Sequence, residues 1–184
     1  IGIILLSGEV GAGKTTLIQY LRRQIDQNIE LVILSNTNLK ADQLLAYILL
    51  ELGIEPEELD KARNLALFKT YLQSVQSENR RVILIIDESQ NLPKDALEEI
   101  RMLSNFQADD GLPLQIFLFG QPEIRAILRS PGMHQIRQRI AVNYHLNGLS
   151  EEETVNYIQY RLEIAGARKN PFTLDAAKLI FKAT

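Results

Sequence analysis

The sequence predicts an α/β fold, a five-stranded parallel sheet between layers of helix, followed by the start of a helical extension. Three observations carry that expectation. Short apolar runs bounded by turn residues recur along the chain, segments of helical period separate them, and after Gly148 the pattern becomes wholly helical. Runs without alternation belong to strands buried on both faces, and strand–helix alternation is how a parallel sheet is connected. The expected boundaries are a core over 1–149 and a helical piece over 150–184.

Taken in order, Ile1 to Leu6 is the first strand, and Leu17, Leu21 and Ile25 mark an amphipathic helix behind it. Leu31 to Leu34 is the second strand. The stretch from Leu39 to Asn79 holds two helices, one striped by Leu44, Leu45, Ile48 and Leu49, the other by Leu65, Phe68, Tyr71 and Leu72. Val82 to Ile86 is the third strand; Leu92, Ala96, Ile100 and Leu103 form the next helical stripe, with Pro93 placed to open it. Leu114 to Phe119 and, with a weaker pattern, Ile140 to Leu146 complete the sheet. Ser150 followed by Glu153 is a capping box, ahead of the single apolar face of Val155, Ile158, Leu162 and Ala165. A last helix starts near Thr173, after Asn170-Pro171.

A chain of 184 residues is long enough for one sizeable core and too short for two full domains. No apolar run approaches the length of a membrane-spanning helix, so no direct membrane insertion by this segment is expected. The absence of cysteine excludes disulfides and thiol chemistry and fits a cytoplasmic setting. A net charge of -3 argues against a broadly basic surface for nucleic acid. The pairs Arg22-Arg23, Arg80-Arg81 and Arg168-Lys169 read as solvated charge. Ile1 already lies in a strand-like run, and Leu174 to Thr184 stops within a helical pattern. The sequence therefore reads as part of a longer polypeptide, its helical piece truncated.

The chemistry is concentrated in Gly8-Glu9-Val10-Gly11-Ala12-Gly13-Lys14-Thr15-Thr16, which matches G-x-x-x-x-G-K-[ST] between a strand and a helix. Its glycines let the main chain curl until successive N–H groups face phosphate oxygens, and the helix adds its positive end. Lys14 is placed to neutralise the β- and γ-phosphates of ATP, and Thr15 offers a hydroxyl to Mg²⁺. A dinucleotide fold would need G-x-G-x-x-G and an acid ending the next strand, where Ser35 and Asn36 stand. The predicted class is thus the P-loop NTPase, a three-layer αβα sandwich.

A P-loop needs a metal-side carboxylate, and Val82-Ile83-Leu84-Ile85-Ile86-Asp87-Glu88 supplies two acids in Walker B form. Asp87 is expected to hold Mg²⁺ through water, with Glu88 orienting the attacking water and accepting its proton. Gln121, just past the fourth strand, emerges beside the γ-phosphate if that strand is central. Asn36, past the second strand, is placed to hydrogen-bond Glu88 and hold it idle. For both, a loop residue with local hydrogen bonds is the alternative. His134 and His145 have no metal-ligand spacing and no nucleophile beside them.

The chain resembles the AAA+ superfamily, and within it the ExeA/GspA-type secretion ATPases. The likeness rests on the two motifs above, on Ile86-Asp87-Glu88-Ser89-Gln90-Asn91-Leu92, and on Leu97-Glu98-Glu99-Ile100-Arg101-Met102-Leu103-Ser104-Asn105, Gly120-Gln121-Pro122-Glu123 and Ile136-Arg137-Gln138-Arg139-Ile140. It implies a Mg-dependent ATPase module of a larger, often membrane-anchored protein that helps assemble a secretion or pilus apparatus. It further implies a homo-oligomer in which a neighbour's arginine completes catalysis. Arg139 is the first candidate for that finger and Arg137 the second, with a helix-end cation as the alternative for each. The partners implied are proteins of a secretion or envelope assembly. The alternative is a DNA-associated ATPase of the TnsC/MuB transposition type, for which clustered Lys and Arg would be required.

Overall fold

The computed structural model describes residues 2–35, 39–57, 60–108, 111, 113–167 and 169–183. It divides into two compact units, Ile1–Leu146 and Asn147–Thr184.

The first unit is built on five strands: β1 (Ile3–Gly8), β2 (Ile29–Leu34), β3 (Arg81–Ile86), β4 (Leu114–Gly120) and β5 (Ile140–Leu146). They pair in the order β2-β3-β4-β1-β5, and every ladder is parallel. Because the chain runs outward from β1 to β2 and then returns through β3 and β4, the C-terminal ends of β3, β4 and β1 lie side by side. Ligands of open α/β sheets bind at such carboxyl ends.

One face of the sheet is covered by α1 (Lys14–Gln24), whose Ile18 packs with Ile85 and Phe119 beside Leu6, Leu17 and Leu21. The other face carries the main core. Here α2 (Ala41–Glu51), α3 (Lys61–Ser77), α4 (Lys94–Ala108), α5 (Glu123–Arg129) and α6 (His134–Arg139) contribute Leu44, Ile48, Phe68, Ile100, Ile124 and Ile136, each at most 1% exposed. Burying one such side chain is worth about 1.5–3 kcal/mol. The predicted stripes of α2 and α4 are the residues that go inside: Leu44, Leu45, Ile48 and Leu49, then Leu92, Ala96, Ile100 and Leu103. Helix α4 starts one residue past Pro93, whose carbonyl accepts from the N–H of Leu97.

One expectation is corrected. The weaker run Ile140 to Leu146 is expected, like the other four, to be buried on both faces, but β5 pairs only with β1 and leaves Val142 46% and Tyr144 57% exposed. Edge pairing alone does not cause this, since β2 at the other edge has no exposed residue; burial of a strand depends on whether helices cover its faces, which composition does not fix.

In the second unit, α7 (Glu151–Ile164) is opened by the predicted capping box: Ser150 Oγ accepts from Glu153 N, and the Glu153 carboxylate accepts from Ser150 N at 2.7 Å. Helix α8 (Leu174–Ala183) is capped by Thr173, whose hydroxyl accepts from Ala176 N, and Lys178 pairs with Glu151 at 3.2 Å. The predicted α7 face of Val155, Ile158 and Leu162 is only half-buried, and Ala165 is exposed. Among the described residues no helix is long and apolar enough to cross a membrane.

Candidate functional site

The loop after β1 is shaped by its glycines. Gly11 and Gly13 have φ of 83° and 95°, in the left-handed region that side chains resist. Gly8 is required for a different reason: a Cβ there would stand 2.8 Å from the Leu146 carbonyl oxygen, where β1 and β5 end together. The Ala12 N–H donates to the Glu9 carbonyl, and α1 begins at Lys14 with Gly13 as its N-cap and no capping side chain. The first turn of a helix has N–H groups without an intrahelical acceptor, and here Lys14, Thr15 and Thr16 supply them. Lys14 is only 6% exposed, and its Nζ donates to the carbonyls of Gly8 at 2.8 Å and Glu9 at 3.0 Å. An ammonium gripping its own loop in this way can exchange those acceptors for phosphate oxygens without a large movement of its stem.

At the end of β3 the chain turns sharply. Asp87 is 9% exposed; its N–H donates to Leu34, and its Oδ1 accepts from the Glu88 N–H at 2.9 Å. Burial raises the proton affinity of its carboxyl, and the neighbouring Glu88 charge adds to that, against the opposing pull of the Glu88 N–H and Lys14. Glu88 adopts left-handed φ 50°, ψ 38°. Its Oε2 accepts from Gln90 Nε2 at 2.6 Å and from Gln121 Nε2 at 3.2 Å. The Gln90 hydrogen bond, helped by Gln121 and Lys14, holds the Glu88 carboxyl below the usual glutamate range despite partial burial.

These pieces converge. A cavity of about 280 Å³ is lined by Val10, Gly11, Gly13, Lys14, Thr15 and Thr16 from the loop, with Glu88 and Gln121 across from them. Thr15 and Thr16 are exposed, while Asp87 does not line the cavity. Of the remaining predicted loop residues, Glu9 is exposed and Ala12 half-buried, neither lining the cavity. Asn36 lies outside the described residues. A larger recess elsewhere, between α2 and α3, carries none of the predicted site residues.

The two arginine candidates are not brought to this cavity. Arg139, at the end of α6, donates through Nη2 to Asn105 Oδ1 at 2.8 Å and lines a separate recess with Arg101, His134, Gln135 and Gln138. Arg137 is exposed and borders another recess with Arg125 and Arg129. His145 Nδ1 lies 3.0 Å from Ser7 Oγ, a structural contact at the end of β1, and His134 is exposed. Gln90 has no assigned role in the sequence beyond its place in the Ile86–Leu92 stretch, two residues after Glu88.

The parallel sheet, with a glycine loop at the end of β1 and two acids at the end of β3, defines a P-loop NTPase. The family model of the AAA domain matches residues 2–128, and the chain belongs to that family. Within it the chain is an AAA+ ATPase module similar to the General secretion pathway protein A of Aeromonas hydrophila, with 35% identity over 183 residues. That match covers 98% of this chain and 33% of the relative, so the chain spans about a third of that protein's length. Among solved structures, Cdc6p from Pyrobaculum aerophilum matches with a TM-score of 0.71 at 16% identity, covering 99% of this chain and 48% of that one. The Aeropyrum pernix ORC2 protein, solved as ADPNP-ADP complexes, matches with a TM-score of 0.69 at 21% identity, covering 89% and 46%. At those identities the likeness is one of fold.

Proposed function

We propose that this chain binds and hydrolyses MgATP as the AAA+ module of a secretion or envelope-assembly ATPase, acting through nucleotide-dependent oligomerisation on the cytoplasmic side. The observation that carries the reading is the facing of Lys14, Thr15 and Thr16 against Glu88 and Gln121 across one cavity. Lys14 and the N–H groups of the loop hold the β- and γ-phosphates, and Gln121 approaches the γ-phosphate from β4. Among the described residues no cluster of three acids or histidines stands ready to hold a metal by itself. Mg²⁺ keeps waters and phosphate oxygens as ligands and takes few from protein. Thr15 and Asp87 are the protein's share. The ion, when bound, supplies charge neutralisation between the phosphates.

Glu88, whose ionised form is favoured by the Gln90 and Gln121 amides and by Lys14, accepts the proton of the attacking water. A neighbouring subunit contributes the arginine, with Arg139 first and Arg137 second, and residues 150–184 form the beginning of a helical lid. The likeness to General secretion pathway protein A supports protein partners in an envelope assembly, with DNA as the alternative partner.

Calorimetry with MgATP on the parent and on Glu88→Gln tests the site. Both should bind, and only the parent should turn over, with a loss on the order of 10²-fold or more in the variant. Absence of binding heat in the parent, or equal turnover in both, overturns the reading. Tight, salt-sensitive binding of labelled duplex in the presence of ATP would replace the secretion assignment with the DNA one.

A further inference from the structure

We infer that Gln90 is a positioning residue for Glu88, clamping one carboxylate oxygen and tying its place to the end of β4. This inference rests on the reading of Glu88 as the group that receives the proton of the attacking water.

The geometry closes a ring. Gln90 Oε1 accepts the main-chain N–H of Gln121 at 2.9 Å, its Nε2 donates to Glu88 Oε2 at 2.6 Å, and the Gln121 side-chain amide donates to the same oxygen at 3.2 Å. A primary amide carries one acceptor and two donors at fixed ends. With its oxygen engaged by a backbone N–H, its nitrogen is turned toward Glu88, so the orientation follows from the network. The turn that carries Gln90 is itself pinned. Ser89–Asn91 forms a single 3-10 turn in which Asn91 N–H donates to the Glu88 carbonyl and Leu92 N–H to that of Ser89.

A second, independent feature makes room for the clamp. Gly120 ends β4 with an ordinary φ, so its backbone does not demand glycine, but a Cβ there would stand 2.8 Å from Ser89 Oγ and 3.1 Å from Gln90 Oε1. The strand is bare at the one point where the Gln90 amide crosses it. Glu88 sits in a left-handed conformation that its own preferences do not favour. Donors at the carboxylate end therefore matter for where that group points. A base displaced by even an ångström loses much of its effect, because proton transfer needs hydrogen-bond reach.

Two substitutions separate the ends of the amide. Gln90→Met keeps the length and removes both ends; Gln90→Glu keeps an acceptor for the Gln121 N–H, removes the donor and sets a second carboxylate against Glu88. Both should lower kcat by about tenfold or more while leaving KM and nucleotide affinity within about twofold, with Gln90→Glu the worse of the two. Gly120→Ala should shift kcat in the same direction by crowding the amide. Unchanged kcat in both Gln90 variants, or a KM that rises in step with a loss of thermal stability, overturns the inference.

If the parent itself binds nucleotide but does not turn over, the proposed activity falls. Crystal structures of the parent and Gln90→Met with Mg and a non-hydrolysable ATP analogue then decide the clamp. A Glu88 carboxylate that leaves its parent position supports it, and one that stays overturns it.

Discussion

Lys14 and Arg139 are both cations at helix ends of the same α/β unit, and their surroundings differ in kind. Lys14 opens α1, is almost wholly buried, and has its ammonium between two carbonyls of its own glycine loop, facing Glu88 and Gln121. Arg139 closes α6, is half-buried, and has one guanidinium nitrogen on Asn105 in a recess that shares no residue with the loop cavity. A lysine is a point charge suited to sitting among phosphates, whereas the planar fork of arginine suits a precise directional contact. On the proposed function, the phosphate-holding half of the site lies within one chain, and a guanidinium for the transferred phosphoryl, drawn from Arg139, would come from another copy.

The first way to break this comparison has the largest expected effect. Arg139→Ala should lower turnover at high protein concentration by about 10³-fold, the low end for a finger supplied in trans, and leave MgATP affinity unchanged. The parent's specific activity should rise with protein concentration and the variant's should not. Turnover that is independent of concentration in the parent would place all of catalysis in one chain and remove the distinction. If Arg137→Ala shows the loss instead, the assignment moves to that residue.

Lys14→Ala attacks the other side of the comparison. Charge-assisted hydrogen bonds contribute about 1.5–3 kcal/mol each, so loss of an ammonium shared by two phosphates should weaken MgATP binding by roughly 10²-fold or more. Calorimetry reads this directly, at any protein concentration. An unchanged affinity would mean that the glycine loop does not hold the phosphates.

The two regions also differed in how far the sequence disclosed them. The loop is a local device: spacing fixes which residues are glycine, and the strand before and helix after are readable as runs and stripes. Glu88 and Asp87 were legible for the same reason, at the end of the most apolar run. The meeting of Glu88 with Gln121 depends on β4 lying between β3 and β1, a matter of strand order that no periodicity contains. Gln90 lies inside the Ile86–Leu92 stretch, but its link to Gln121 is long-range in sequence and arises only in the fold. The exposure of Val142 and Tyr144 was hidden likewise, since an apolar run does not say whether helices cover both faces of its strand. Arg137 and Arg139 are two residues apart on a six-residue helix, so sequence alone could not say which would meet Asn105.

That contact gives the smallest and most discriminating prediction. Asn105 lies near the end of α4 and Arg139 at the end of α6, so their 2.8 Å hydrogen bond fixes the guanidinium relative to the main core. A hydrogen bond to a charged group contributes about 1.5 kcal/mol or somewhat more, and the ordering of a long side chain offsets part of that. If Asn105 aims Arg139 at a neighbour's phosphate, Asn105→Ala should lower kcat by about five- to tenfold, with MgATP affinity unaltered. The loss should vanish in an Arg139→Ala background, because the asparagine would then have nothing to aim. A rise in kcat would show the opposite arrangement, in which Asn105 restrains Arg139 and assembly must first pull it away.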